Sequence, residues 1–141
     1  MLALNATDVR KDWSITVDSV IRGKPRFIKR TRDFMMLSNL DTIENILNPY
    51  SFHANKFIES DGSVTLSLNE IDLIENAPDE KQAKLLLAQS IIEYAEEFYN
   101  EFNYWSADKN RKKHIPYILK ALILNDTNKI GDLIECLHGK N

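Results

Sequence analysis

Residues 4–38 read LNATDVRKDWSITVDSVIRGKPRFIKRTRDFMMLS, and the fold turns on how this stretch is parsed. Ala6, Val9, Trp13, Val17 and Val20 recur at three- and four-residue steps, which puts one apolar stripe on a helix. Asn5 supplies an N-cap, with Asp8 placing a carboxylate at the positive end of the helix dipole. Gly23 closes the helix and Pro25 prevents its continuation. The spacing therefore predicts one amphipathic helix from the Asn5 cap to Gly23, with Arg10, Lys11, Asp12, Asp18 and Arg22 on its solvated face. Residues 26–30 and 34–38 then read as two short paired strands. Phe27, Ile28, Phe34, Met35, Met36 and Leu37 make both faces of this hairpin more apolar than a one-sided sheet needs, so a second surface is expected over it.

Working outward, Ser38 reads as the N-cap of a short helix with Asp41 at its third position, and Asn48-Pro49 ends it. The domain boundary is set here, giving domains 1–48 and 49–141. Residues 52–59 and 64–68 flank Asp61-Gly62, a strong hairpin signal between two strand-forming runs. Residues 68–77 are ambiguous. Asp79 and Gln82 have capping-box spacing, and the apolar positions Ala88, Ile91, Ala95, Phe98, Phe102 and Trp105 predict a single helix over 80–105, about 39 Å long at 1.5 Å per residue. A loop over 106–113, a helix near 115–124 and a last helix over 126–137 ending at Gly139 complete the chain. The class is α+β: a helix with a small antiparallel sheet, then a β-hairpin and C-terminal helices.

Composition narrows the possibilities. The chain has 141 residues, 43% of them hydrophobic, which suits folded domains and excludes wholesale disorder. Its one cysteine, Cys136, allows no internal disulfide. No apolar run is long enough for a membrane span and the first residues lack a secretory pattern, so a soluble, cytoplasmic protein with no membrane partner is expected. The net charge of -3 conceals a division. Residues 1–36 carry eight Lys/Arg against four Asp, a net of +4, and the remainder carries ten basic against seventeen acidic residues, a net of -7. A basic head on an acidic body suits a polyanion at one end and a different, basic partner at the other, although two solvated surfaces could show the same asymmetry.

Several elements of the opening stretch, taken in order, resemble the Phd/YefM antitoxin family. They are Asn5-Ala6-Thr7, Arg10, Val17-Asp18, Val20, Gly23-Lys24-Pro25, Ile28-Lys29-Arg30, and Leu37-Ser38 followed by Asp41. The resemblance covers residues 1–47. Trp13 stands where the family has Leu, Lys29 where it has Thr, and Thr31-Arg32-Asp33 replaces a glycine-containing turn. The resemblance implies an antitoxin of a type II toxin–antitoxin system. Such a protein is a homodimer that represses its own operator DNA and neutralises a protein toxin, here expected to be ribonuclease-type, by direct binding. The DNA-binding candidates are Asn5, Thr7, Arg10 and Lys11 at the start of the first helix, with Lys29, Arg30 and Arg32 on the hairpin. Helix N-terminal amides hold phosphate, and Arg reads guanine bidentately. The alternative function is a regulatory or protein-interaction module without a toxin, using the family-like head only to dimerise.

Elsewhere, chemistry is sparse. Tyr94, Phe98, Tyr99, Phe102 and Trp105 form an aromatic stripe that is either core or a partner-binding face, and Phe98 and Tyr99, being adjacent, must point in different directions. Lys109, Arg111, Lys112 and Lys113, with His114 next, form a basic run that is either solvated or a phosphate contact. His53, His114 and His138 are scattered, Glu93 and Glu97 lack histidine partners, and there is no glycine-rich phosphate loop. No catalytic residue, metal site or cofactor is expected, and an enzyme is not predicted.

Overall fold

The computed structural model describes residues 2–138. The side chain of Asn5 accepts a hydrogen bond from the Thr7 amide at 2.9 Å and starts helix α1, Ala6–Lys11. That helix stops at Asp12, whose φ of -110° and ψ of 37° are not helical, and α2 runs over Trp13–Arg22. The single helix expected from the periodicity is therefore two. The break rotates the stripe: Val9, Thr16 and Val20 are buried, whereas Trp13 is 53% exposed. Gly23 ends α2 where a Cβ would stand 2.6 Å from the Ser19 carbonyl oxygen. That oxygen accepts from the amides of both Gly23 and Lys24.

Strands β2, Arg26–Arg30, and β3, Asp33–Leu37, pair antiparallel as expected, with Arg30 opposite Asp33. Thr31 and Arg32 make the turn, and Thr31 takes a φ of 58°. Primed hairpin turns need that sign at their first central residue, and a threonine adopts it here without a glycine to relieve it. A three-residue strand that sequence reading missed, β1 (Ala3–Asn5), pairs parallel to β2, so the sheet is mixed rather than purely antiparallel. Helix α3, Leu40–Leu47, is capped by Asn39, which accepts from the Thr42 amide at 2.9 Å. The expected cap, Ser38, instead donates its hydroxyl to the Asn39 carbonyl.

The chain divides into two compact units, Met1–Ile46 and Leu47–Asn141. In the second, β4 (Phe52–Ile58) and β5 (Val64–Leu68) form the expected hairpin, with Gly62 at a φ of 85°. Part of the ambiguous stretch becomes β6, Ile74–Ala77, antiparallel to β5. Asp79 caps α4, Glu80–Asn100, by accepting from the Gln82 amide at 2.8 Å. Glu101, at φ -121° and ψ 46°, interrupts the helix, and α5 follows over Phe102–Ser106. The 39 Å rod is thus a helix of about 31 Å plus one bent turn. The expected loop also contains a short helix, α6 (Lys109–Lys112), capped by Asp108. Helix α7, Ile115–Leu124, ends at a left-handed Asn125.

The last segment needs the largest correction. Helix α8 covers only Thr127–Leu133, and Ile134–His138 is a strand, β7, parallel to β4. The expected helix end at Gly139 lies outside the described residues. Ile134 and Cys136 sit on the face of the sheet that packs inward, opposite Phe52 and Ala54. A vacant position beside β4 outweighs a local pattern that suits either helix or strand. The sheet order is β6-β5-β4-β7. Its inner face and α4, α7 and α8 enclose one core, in which Phe52, Leu66, Leu87, Ile91, Phe98, Ile118, Ile130 and Ile134 are fully buried. Each such side chain contributes roughly 1.5–3 kcal/mol of transfer free energy. The fold class is α+β, as expected.

Candidate nucleic-acid interface and aromatic face

All seven residues proposed for nucleic acid, namely Asn5, Thr7, Arg10, Lys11, Lys29, Arg30 and Arg32, are exposed. The parallel pairing of β1 with β2 sets Asn5 beside Lys29, so α1 begins next to the basic edge of the hairpin. This contact could not be read from the sequence, because β1 has only three residues and no alternation. Lys29 lies 5.5 Å from the centre of the Phe34 ring, directly across the hairpin. Arg30 and Arg32 occupy the hairpin tip. Among the described residues none of the five basic side chains makes an ion pair. Each keeps its charge and donors free in the way a phosphate contact needs.

The same unit leaves apolar surface open beside these charges. Ala6, Val9, Trp13, Ile28 and Met35, with Arg10 at the rim, line an open cavity of about 510 Å³. On the opposite face of the hairpin Phe27, Phe34 and Met36 are 40%, 53% and 43% exposed. Ile28 is buried on the helix side. The hairpin is thus covered on part of one face only.

The aromatic stripe divides as helix geometry demands. Phe98 is fully buried, while its neighbour Tyr99 is 61% exposed. Tyr94, Phe102 and Trp105 are half-buried and pack against the core. Tyr94 meets Phe98 and Trp105 edge-on, and Phe98 stacks on Trp105 at 6.4 Å. The structure therefore places Phe98 in the core and leaves the other four of the proposed partner-binding residues at least partly accessible.

The folding of α5 and α6 also creates a polar site absent from the sequence reading. Tyr94 Oη lies 2.8 Å from His114 Nδ1 and accepts from Arg111 at 3.3 Å. The Arg111 guanidinium lies 4.2 Å above the Trp105 ring. Burial raises the Tyr94 phenol above its usual range, with Arg111 opposing the rise. Burial first, and Arg111 second, lower His114 below 6.5. Both groups are held neutral at pH 7. Tyr94 and His114 are twenty residues apart and meet only because α4 packs against the start of α7. No local sequence signal announces that meeting.

Among the described residues no group of three or more His, Cys, Asp or Glu side chains could hold a metal ion, and no helix is long and apolar enough to cross a membrane. A family model described as PHD-like, antitoxin of toxin-antitoxin, RelE/RelB, TA system, matches residues 1–136. The match thus extends far beyond the first third of the chain that carries the sequence resemblance. The chain is also similar to a crystal structure described as an antitoxin part of a proposed toxin/antitoxin system from Syntrophomonas wolfei subsp. wolfei. That likeness has a TM-score of 0.93 at 30% identity and covers 99% of this chain and 100% of the other. A comparison with curated proteins yields no match.

Proposed function

Since the chain belongs to the PHD-like family of antitoxins of toxin–antitoxin systems, we propose that it is a homodimeric, DNA-binding repressor of its own operator that neutralises its toxin by direct binding. The observation that carries the DNA half of this reading is the set of exposed basic side chains, free of ion pairs, beside the N-terminus of α1. Asn5 and Thr7 open that helix, Lys29 stands alongside, and Arg10 lies one turn further on. Helix-end amides suit a phosphate, and an arginine fork suits a guanine edge. A two-fold axis repeats the surface and calls for a palindromic site.

The dimer half rests on the open hairpin. Trp13 and Met35 on the helix side, and Phe27, Phe34 and Met36 on the other face of the hairpin, are all at least 40% exposed in one chain, so large apolar side chains stand open on both faces. A second copy packed against one of these faces buries its apolar side chains and aligns two basic surfaces. The toxin is assigned to the acidic second unit, because ribonuclease-type toxins carry basic surfaces that an acidic partner masks. In this reading the protein is cytoplasmic and needs no cofactor.

The test is fluorescence anisotropy on the DNA upstream of the gene, across a salt series, with wild type and Arg10→Ala. The expected result is site-specific binding that weakens steeply with salt, and a loss on the order of tenfold or more in the variant. Binding no tighter than to random DNA, unchanged by the substitution, would reduce the first unit to a dimerisation module.

A further inference from the structure

Arg111 is a guanidinium held in place with most of its donors unused. Stacking on Trp105 and the hydrogen bond to Tyr94 fix its plane. The carboxylate with which it pairs, Asp108, stands 3.9 Å from Nε, beyond hydrogen-bond distance. Tyr94 Oη accepts from Arg111 and lies 2.8 Å from His114 Nδ1; when its own hydrogen goes to Nδ1, the remaining ring nitrogen, Nε2, carries a hydrogen as a donor. Arg111 and His114 both line a cavity of about 300 Å³, with Asp72, Asp108 and Asn110 around it. A positioned arginine fork and an imidazole N–H along one small cavity are the donor set of an oxyanion site.

We propose that this cavity takes the carboxylate of an Asp or Glu side chain from an acidic segment of a protein partner, held by the Arg111 fork and the His114 Nε2–H. Charge favours a carboxylate over a phosphate. A planar monoanion matches the fork, whereas a phosphate dianion would face Asp72 and Asp108 across the same cavity. The surroundings favour a protein. Tyr104, 75% exposed, meets Trp105 edge-on at 5.6 Å, and Trp105 carries the Arg111 guanidinium, so a Tyr-Trp-Arg group of the kind that dominates protein interfaces includes the arginine. Lys109, Lys112 and Lys113, exposed on and just after α6, make this corner locally basic within an acidic unit. The inference is independent of the toxin assignment, because it names the chemistry of the partner's anchor and not the partner.

The experiment follows Arg111 Nε–H and the His114 imidazole by NMR in the isotopically labelled full chain. The probe is a hexaglutamate peptide, and inorganic phosphate at matched ionic strength is the comparator. The glutamate peptide is expected to shift both groups saturably. Arg111→Lys should weaken that binding on the order of tenfold, the value of one charge-assisted hydrogen bond. Arg111→Gln should abolish it, and Asp72→Asn, which removes repulsion without touching the donors, should strengthen it. Three outcomes would overturn the proposal: no saturable shift, saturation by phosphate at equal or lower concentration, or unchanged binding in both Arg111 variants. Should Arg111→Gln fail to fold, a neutral or weakening effect of Asp72→Asn overturns it equally.

Discussion

The two units solve the burial problem differently. Among the described residues the first buries three apolar side chains, Val9, Val20 and Ile28, and exposes ten large ones; the second buries eighteen and exposes eight. The second therefore carries its own core, with a sheet face on one side and α4, α7 and α8 on the other. The first has the elements of a fold without enough interior to hold them, a common condition in units this small. In the proposed dimer a second copy adds to that interior, so the dimer proposal concerns folding as much as recognition.

The largest effect that would sharpen this contrast is Phe98→Ala. It should remove about 3–5 kcal/mol from the second unit, read from urea unfolding, because the site is sealed and cannot collapse. A cost below about 1 kcal/mol would mean that the core is looser than its burial indicates. Met35→Asp comes next. Met35 is 58% exposed in the single chain, so the change is nearly neutral if the unit stands alone. If a second copy covers it, sedimentation equilibrium should show association weakened by about 3 kcal/mol or more, the cost of stranding a buried carboxylate.

A third prediction concerns pH and belongs to the second unit. His114 resists protonation in the folded protein, so below about 6.5 the unfolded chain binds more protons than the folded one. Stability should accordingly fall as pH drops through and below that value. Urea midpoints for His114→Gln should lose this component, and parallel pH profiles for the two proteins would refute the assignment. The smallest effect returns to the first unit. A left-handed φ costs an L-residue about 1–2 kcal/mol, of which glycine's greater freedom when unfolded returns up to about 1. Thr31→Gly should therefore raise the melting temperature slightly, by the equivalent of no more than about 1 kcal/mol. A fall would show that the threonine side chain makes a contact worth more than its strain.

The same contrast explains what could be read from residues alone. Caps and turns with a strong local cause were legible: Asn5, Asp79, Asp61-Gly62 and the bounds of α7 lie where the sequence places them. Breaks inside helices were not. Asp12 and Glu101 interrupt patterns whose apolar periodicity runs straight through them. Trp13 was misplaced for that reason, and β7 was read as helix because only the open edge of β4 makes it a strand. At the candidate sites the charged residues were visible one by one, but the neighbours that give them meaning, Lys29 beside Asn5 and His114 beside Tyr94, come from pairing and packing over long separations.

The parallel pairing of β4 with β7 also orders events during synthesis. Phe52 and Ile134 are register partners separated by most of the second unit. At about 5–20 residues per second, a ribosome needs several seconds or more to travel from one to the other. Throughout that interval β4 has a neighbour on one side only, and its inner face lacks part of its cover. The first unit, whose pairings all lie within the opening 37 residues, has no such wait. On a nascent chain every strand of the basic head is available while the body is still open, so in the proposed dimer two heads made from neighbouring ribosomes can pair before either body has closed.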